Sequence, residues 1–341
     1  MTVRLADLDL PVIGAPMAGG ASTPALVAAV NRAGGLGFLA AGYRSATGMA
    51  EQIAEVRKST DRPYGVNLFV PGPPGDPAAV AAYRERLRPE AERWGVELPE
   101  LIGPDRDDWE AKLDVLLADP VPVVSYTFGL PTAGQAAALR AAGVLQIGTV
   151  TTPEEARAAQ AVGMDALAVQ GPEAGGHRST HRITDLPGEL PLPRLLAAVR
   201  AVTSLPLIAA GGLGDGPAIA AALRAGADAV QLGTALLRSD ESGASAAHRA
   251  ALTELPETVV TRAFTGRPAR GLRNAFIDRH GPYAPPAYPE VHHLTAPLRA
   301  AATRRADTTA MHLWAGTAHH LARTGPAAAI VTDLWRSARE G

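Results

Sequence analysis

The sequence predicts an α/β chain folded as a (β/α)8 barrel, the TIM barrel, and three observations lead there. Short apolar runs recur at 11–15, 36–40, 64–69, 121–126, 144–148, 166–170, 206–210 and 229–232. They are apolar on both faces rather than alternating, as strands of a buried parallel sheet are. Ala-rich helical stretches separate them. Several of those stretches end in glycine just before the next run, at Ala33-Gly34, Ala142-Gly143, Val162-Gly163 and Ala225-Gly226. Glycine supplies the left-handed residue that closes a helix. About eight such β/α units fit a barrel; a doubly wound open sheet is the alternative.

The helix entries support the same reading. Thr23-Pro24, Thr152-Pro153 and Asp215-Gly216-Pro217 each join a capping side chain to a proline in the first turn, where its missing N–H costs nothing. Two segments break the alternation. Residues 70–119 are Pro-rich at the start and highly charged through 83–94, and read as a helical insertion after the third strand. Residues 259–297 are rich in Arg, Gly, Pro and aromatics, and read as an irregular covering segment over the barrel mouth. The expected organisation is a barrel over 1–258 including the helical insertion, the cover over 259–297, and C-terminal helices returning to the barrel over 298–341.

Apolar residues make up 47% of the 341-residue chain, so a large core can form. The formal net charge is -2, with acids and bases dispersed. No basic run recruits a phosphodiester backbone, so nucleic acid is not an expected partner. The apolar runs are too short to span a bilayer, and Met1 to Asp7 carries no apolar leader core. A cytoplasmic location is the default expectation. Cysteine is absent, which excludes thiol nucleophiles, thiolate metal sites and disulfides. Redox chemistry would then need a borrowed cofactor.

The candidate site residues cluster at strand ends. Gly211-Gly212-Leu213-Gly214-Asp215-Gly216 follows the seventh strand, and Gln231-Leu232-Gly233-Thr234-Ala235 follows the eighth. In barrels these two loops commonly bind a phosphate through backbone N–H groups; a tight turn without ligand is the plainer reading. One terminal phosphate without a pyrophosphate fingerprint points to FMN rather than FAD. Gly35-Leu36-Gly37-Phe38-Leu39-Ala40 matches a dinucleotide string but enters a strand instead of opening a helix, so it is set aside.

Gln170-Gly171-Pro172-Glu173-Ala174-Gly175-Gly176-His177 follows the sixth strand. It offers an amide for a flat heterocycle edge, glycines for close approach, and an imidazole able to take a proton near neutral pH. A loop histidine bonded to backbone is the plainer reading. Asn67, at the end of the third strand, is expected to face the site, and Met17, after the first, to pack on a flavin face. His177 and His181 are four apart, but Arg178 stands where a zinc helix needs glutamate; no metal is expected. The His292-His293 and His319-His320 pairs read as solvated or helix-end residues.

Taken together these strings resemble the nitronate monooxygenases, FMN-dependent barrel enzymes. The matching segments are 11–17, 33–42, 65–70, 124–131, 170–177, 209–216 and 231–235, covering essentially the whole chain. Asp76-Pro77-Ala78-Ala79-Val80 and Leu313-Trp314-Ala315-Gly316 look like the bacterial class I branch. The resemblance implies that Asn67, Gln170, Gly175, Gly212 and Gln231, Leu232, Gly233 and Thr234 contact FMN, and that His177 is the catalytic base. It implies oxidation of alkyl nitronates, such as propionate-3-nitronate, by O2 to a carbonyl compound and nitrite. Three positions depart from the family pattern: Ser179 and His181, where glycine and an aromatic are usual, and Thr317, where glutamine is usual. An NAD(P)H-dependent reductase of the enoyl-acyl-carrier-protein or quinone type, on the same barrel, is the alternative enzyme. A non-catalytic flavin- or phosphate-binding protein is the alternative outside enzymes.

Overall fold

The structure is a computed structural model that describes residues 4–100, 103 and 105–340. Within the segments discussed above, residues 1–3 of the N-terminal stretch, residues 101, 102 and 104 of the insertion, and Gly341 lie outside the described residues.

Buried parallel strands must pair on both edges or leave backbone groups unsatisfied in an apolar core. Here they pair by closing on themselves. The barrel strands are β1 (Val12–Gly14), β2 (Leu36–Ala40), β3 (Gly65–Phe69), β4 (Val123–Thr127), β5 (Leu145–Val150) and β6 (Ala166–Gln170). β7 is the two-residue Gly176–His177, outside the barrel, and β8 (Leu207–Ala210) and β9 (Ala229–Leu232) complete it. β1 pairs with both β2 and β9, with Ile13 opposite Leu36 on one side and Gln231 on the other. The expected (β/α)8 barrel is therefore the observed fold. β4 and β5 run one and two residues beyond the expected runs, because Thr127 pairs with Phe69 and Val150 with Val169.

The helices follow their local signals. α1 (Pro24–Arg32) is capped by Thr23, whose side chain accepts the Leu26 N–H at 3.0 Å. α2 (Ala46–Ser59) follows β2, and α3 (Pro77–Trp94) and α4 (Trp109–Ala118) follow β3. α5 (Ala133–Ala141), α6 (Pro153–Val162), α7 (Leu192–Arg200) and α8 (Gly216–Arg224) follow in turn. The exit residues Gly34, Gly143, Gly163 and Gly226 all have positive φ, as the left-handed cap requires.

The two segments that break the alternation are more detailed than composition shows. The helical stretch after the third strand, residues 70–119, holds α3 and α4; α4 packs between α2 and α5 in the ring, and α3 stands outside it. Charge hid this, because α4 buries Lys112 inside an otherwise apolar face. The 259–297 segment is more regular than composition suggested. After α9 (Ala246–Glu254), strands β10 (Thr258–Thr261) and β11 (Ala269–Leu272) form an antiparallel sheet with β7. α10 (Ala275–His280) and the start of α11 (Glu290–Arg304) follow. Tertiary pairing with Gly176–His177 makes this sheet, and no local pattern announces it. α12 (Ala327–Glu340) packs against α8 and α1 and closes the helix ring.

Three apolar clusters result. One fills the barrel interior with Ile13, Leu36, Phe38, Val123, Ile147 and Ile208. The largest lies between strands and ring helices. The third joins Tyr83 and Leu87 of α3 to Phe264, Phe276, Leu294 and Leu298 above the barrel mouth. α3 and the cover thus share one core.

Candidate active site

One cavity of about 700 Å³ opens at the C-terminal ends of the strands, under the cover. The size lies within the roughly 300–1,000 Å³ common for small-molecule sites. Its walls take residues from β3, β4, β5, β6, β8 and β9, from the segment after β1, from β7, and from α11. The residues expected from sequence are brought together: Met17, Asn67, Gln170, Gly175, His177, Gly212, Gln231, Gly233 and Thr234 all line it. Leu232 does not and is corrected. It is 1% exposed and packs in the strand–helix layer, because successive strand residues face opposite ways.

The two glycine loops differ in what they need glycine for. Gly212 has φ +70°, and a Cβ there would sit 3.0 Å from Glu173 Cβ. Gly233 is the residue before a short 3₁₀ turn, Thr234–Leu236, whose internal bonding starts with Leu236 N–H to Gly233 O at 2.8 Å. A Cβ on Gly233 would meet only Ala15 at 3.4 Å and Met17 at 3.9 Å, both cavity residues. Gly233 therefore keeps the cavity wall flat, whereas Gly212 keeps the backbone turn. α8 is capped by Asp215, which accepts the Ala218 N–H at 2.9 Å, so the short turn after β9 is the better anion cradle.

The histidine loop is latched rather than loose. Gln170 Nε2 donates to His177 O at 2.9 Å, and Gln170 Oε1 accepts the Ser179 N–H at 2.9 Å. The amide expected to meet a heterocycle edge thus has a positioning duty. Gly175 also has a packing reason: a Cβ there would lie 2.4 Å from Gly316 N. Asn67 is 2% exposed and its Nδ2 donates to Ser125 Oγ at 2.9 Å and Thr127 Oγ1 at 3.0 Å.

His177 Nε2 stands 2.9 Å from Thr265 Oγ1. Its ring lies 5.4 Å from Phe128, 5.6 Å from Trp314 and 6.1 Å from Tyr288, centroid to centroid. Burial among these rings, with the Arg267 and Arg299 charges added, pushes the imidazole down to about 3. Where the sequence led to an expectation of titration near neutrality, burial and the two guanidinium charges shift His177 toward its neutral form. His181 does not join it, since its Nε2 bonds Thr149 O at 3.0 Å. Among the described residues no group of three His, Asp or Glu converges to hold a metal.

Sequence reasoning missed the rest of the wall. Tyr43 lines the cavity at φ 68° and stacks on His292 at 3.9 Å. Phe128 sits at φ 75° under the Arg267 guanidinium, 4.0 Å from its ring. Two bulky residues in the left-handed region at strand ends are the kind of strain that gathers at functional sites. Of the histidines expected to be solvated or at helix ends, His292 lies in the first turn of α11 and lines the cavity, and His319 starts a short 3₁₀ turn, 4% exposed, with Nδ1 at 2.8 Å from Leu252 O. Of the three departures, Ser179 lines the cavity, whereas His181 and Thr317 do not. The missed residues lie in the cover or after β2 and β4, where only folding brings them to the mouth.

The family model described as Nitronate monooxygenase matches residues 3–337. A probable nitronate monooxygenase of Staphylococcus saprophyticus subsp. saprophyticus is 37% identical over 347 residues, covering 98% of this chain and 96% of the relative. Among solved structures, nitroalkane oxidase from Streptomyces ansochromogenes is 52% identical with a TM-score of 0.95, covering 98% of this chain and 97% of that one. FabK from Thermotoga maritima is 28% identical with a TM-score of 0.75, covering 99% and 97%.

Proposed function

Because the chain belongs to the nitronate monooxygenase family and is an oxidoreductase, we propose that it binds FMN and oxidises alkyl nitronates with O2 to a carbonyl compound and nitrite. The observation that carries this reading is a single cavity joining the neutral imidazole of His177 to both glycine loops. The nitroalkane oxidase of S. ansochromogenes supports the substrate class by its likeness.

The residues present fit a flavin mononucleotide. Gly233 leaves a wall that a Cβ would intrude upon, and Gly212, Thr234 and Ala235 complete a cradle for one phosphate. Met17, Asn67, Gln170, Gly175 and Gln231 provide an apolar contact, amides and a close backbone approach for the ring. When bound, the flavin supplies electron transfer from the substrate and onward to O2.

The chain's own residues bind and move protons. His177 Nε2 is taken by Thr265, while Nδ1 meets no hydrogen-bond partner among the described residues. Nδ1 is therefore the nitrogen that removes the α-proton from a neutral nitroalkane. Its proton affinity is low until an anion forms beside it, and the nitronate produced by that same step is such an anion. Preformed nitronates, propionate-3-nitronate among them, need binding but no base. The rings of Phe69, Phe128, Tyr288 and Trp314 surround the imidazole and set its orientation.

The test begins with the visible spectrum of purified protein and chromatography of the heat-released cofactor. Oxygen uptake and nitrite formation with propionate-3-nitronate follow. FAD or no flavin after mild reconstitution sinks the cofactor assignment. Absent oxygen uptake together with fast anaerobic flavin reduction by NADH favours the reductase reading.

A further inference from the structure

Arg299 of α11 lines the cavity and is only 8% exposed. Nε donates to Thr295 Oγ1 at 3.0 Å, and Nη2 donates to His292 O at 2.8 Å and meets His292 Nδ1 at 3.2 Å. Among the described residues Nη1 has no acceptor, and no carboxylate pairs with the guanidinium; its ionisable neighbours are the phenols of Tyr43 and Tyr288. A cation buried without a counter-charge is costly and persists where it meets an anion. No Asp or Glu lines this cavity, so nothing in the wall repels a negative ligand.

A second unsatisfied group stands beside it. Tyr43 Oη is buried without a hydrogen-bond partner and lines the same cavity. The Tyr43 ring stacks on the His292 ring, interplanar angle 4°, whose Nδ1 meets Arg299. The backbone that presents it, at φ 68°, is fastened by its N–H to Asp107 Oδ1 at 2.8 Å. Guanidinium and phenol together make a charge-assisted donor pair suited to a carboxylate.

This pair is not the reacting end. Tyr288 stands between, its ring 6.1 Å from His177 and 6.4 Å from His292. A substrate whose α-carbon lies at His177 reaches Arg299 only through a further short chain. Tyr43 follows β2, on a different arc of the rim from the β8 and β9 loops that suit a phosphate.

Resting on the nitronate reading above, we infer that Arg299 and Tyr43 form an anion subsite selecting nitronates and nitroalkanes that carry a carboxylate at the end remote from the reacting carbon. The probe that needs no turnover is succinate, a dicarboxylate of matching length with no nitro group to oxidise. Its Kd is measured by calorimetry on flavin-loaded wild type, Arg299→Gln, Arg299→Lys and Tyr43→Phe, with flavin content matched.

Losing charge-assisted hydrogen bonds raises Kd by roughly tenfold to a hundredfold in Arg299→Gln, with partial rescue in Arg299→Lys and a smaller rise in Tyr43→Phe. In turnover, the kcat/KM preference for propionate-3-nitronate over propyl-1-nitronate falls by a similar factor. Unchanged succinate affinity, or equal losses on both nitronates, overturns the subsite. Flavin loss from Arg299→Gln with succinate binding intact also overturns it, placing Arg299 at the cofactor instead. If wild type oxidises no nitronate yet binds succinate through Arg299, the subsite stands and the oxidation reading fails. If Arg299→Gln does not fold, Tyr43→Phe decides: weaker succinate binding supports the subsite and an unchanged Kd defeats it.

Discussion

Two glycines of the cavity let the proposed cofactor site be tested apart from folding. A side chain at Gly212 has to adopt φ +70° against Glu173, so a flavin-poor variant there would report strain as much as cofactor exclusion. Gly233→Ala is the cleaner experiment, since its Cβ finds ordinary contact distances within the wall. The variant is expected to melt with the wild type and to purify with much less flavin; full flavin occupancy would place the phosphate elsewhere. His177 offers a second test at this scale. Asn keeps a polar side chain and removes the basic nitrogen. General acid–base catalysis contributes about 10²–10⁴-fold, so His177→Asn should lose roughly that on neutral nitroalkanes and far less on preformed nitronates. Equal losses on both would make His177 a binding residue.

Elements are aimed at the site by buried polar links that the helix and strand patterns do not encode. α4 carries Lys112, 1% exposed, whose Nζ donates to Ala41 O at 2.9 Å and to Asp107 Oδ2 at 2.7 Å. Asp107 in turn accepts the Tyr43 N–H. The link runs from a ring helix through a loop to a cavity residue. Lys112→Met leaves Asp107 without its cation, a loss worth about 3–5 kcal/mol for a buried pair. The lower end is expected, because the Asp107 side chain is 20% exposed. Urea unfolding measures this, and a change within error would mean that the pair contributes nothing net. Gln170 does the same work across the mouth, tying the His177 loop to the end of β6 through both amide atoms.

At the scale of the whole molecule, the cover buries imidazoles in a site rich in arginine, and this sets how stability responds to pH. His177 is pushed from 6.5 down to about 3, mainly by burial with the Arg267 charge next, and His292 and His312 are also lowered, mainly by burial with the Arg299 charge next. Between those values the unfolded chain binds protons that the folded chain refuses. Stability therefore rises with pH through that window and is complete above 6.5. Asp107 opposes this: raised by burial from 3.8 to about 6, it costs stability as pH rises through that interval. Among the described residues, five lowered imidazoles, His248 and His280 included, against the one raised carboxyl decide the sign. The melting temperature is expected to fall as pH drops from about 7 to about 5, and less steeply in His177→Asn. A flat or rising profile on acidification would show that the imidazoles protonate without unfolding.

The barrel was legible because its signals are local. Two-sided apolar runs such as residues 166–170, the helix-ending glycines and the Thr23, Thr152 and Asp215 caps are read from neighbours a few residues apart, and each forms as expected. The strand-end site residues were legible for the same reason: closing the barrel carries every strand end to one rim, so Asn67, His177, Gly212 and Gly233 meet without further information. Leu232 failed because alternation, not position in the motif, decides which way a strand residue points. The side chains that define the chemistry around His177 were decided only by tertiary structure. Arg267 and Tyr288 come from the cover and Arg299 from α11 just beyond it, all folded back across more than eighty residues of chain onto the rim. The β10–β11 ladder is joined to the His177 loop by pairing of Ala269 with His177 and of Arg270 with Gly176. The neutral state of His177 follows from that burial, and burial is a property of the assembled core, not of any segment.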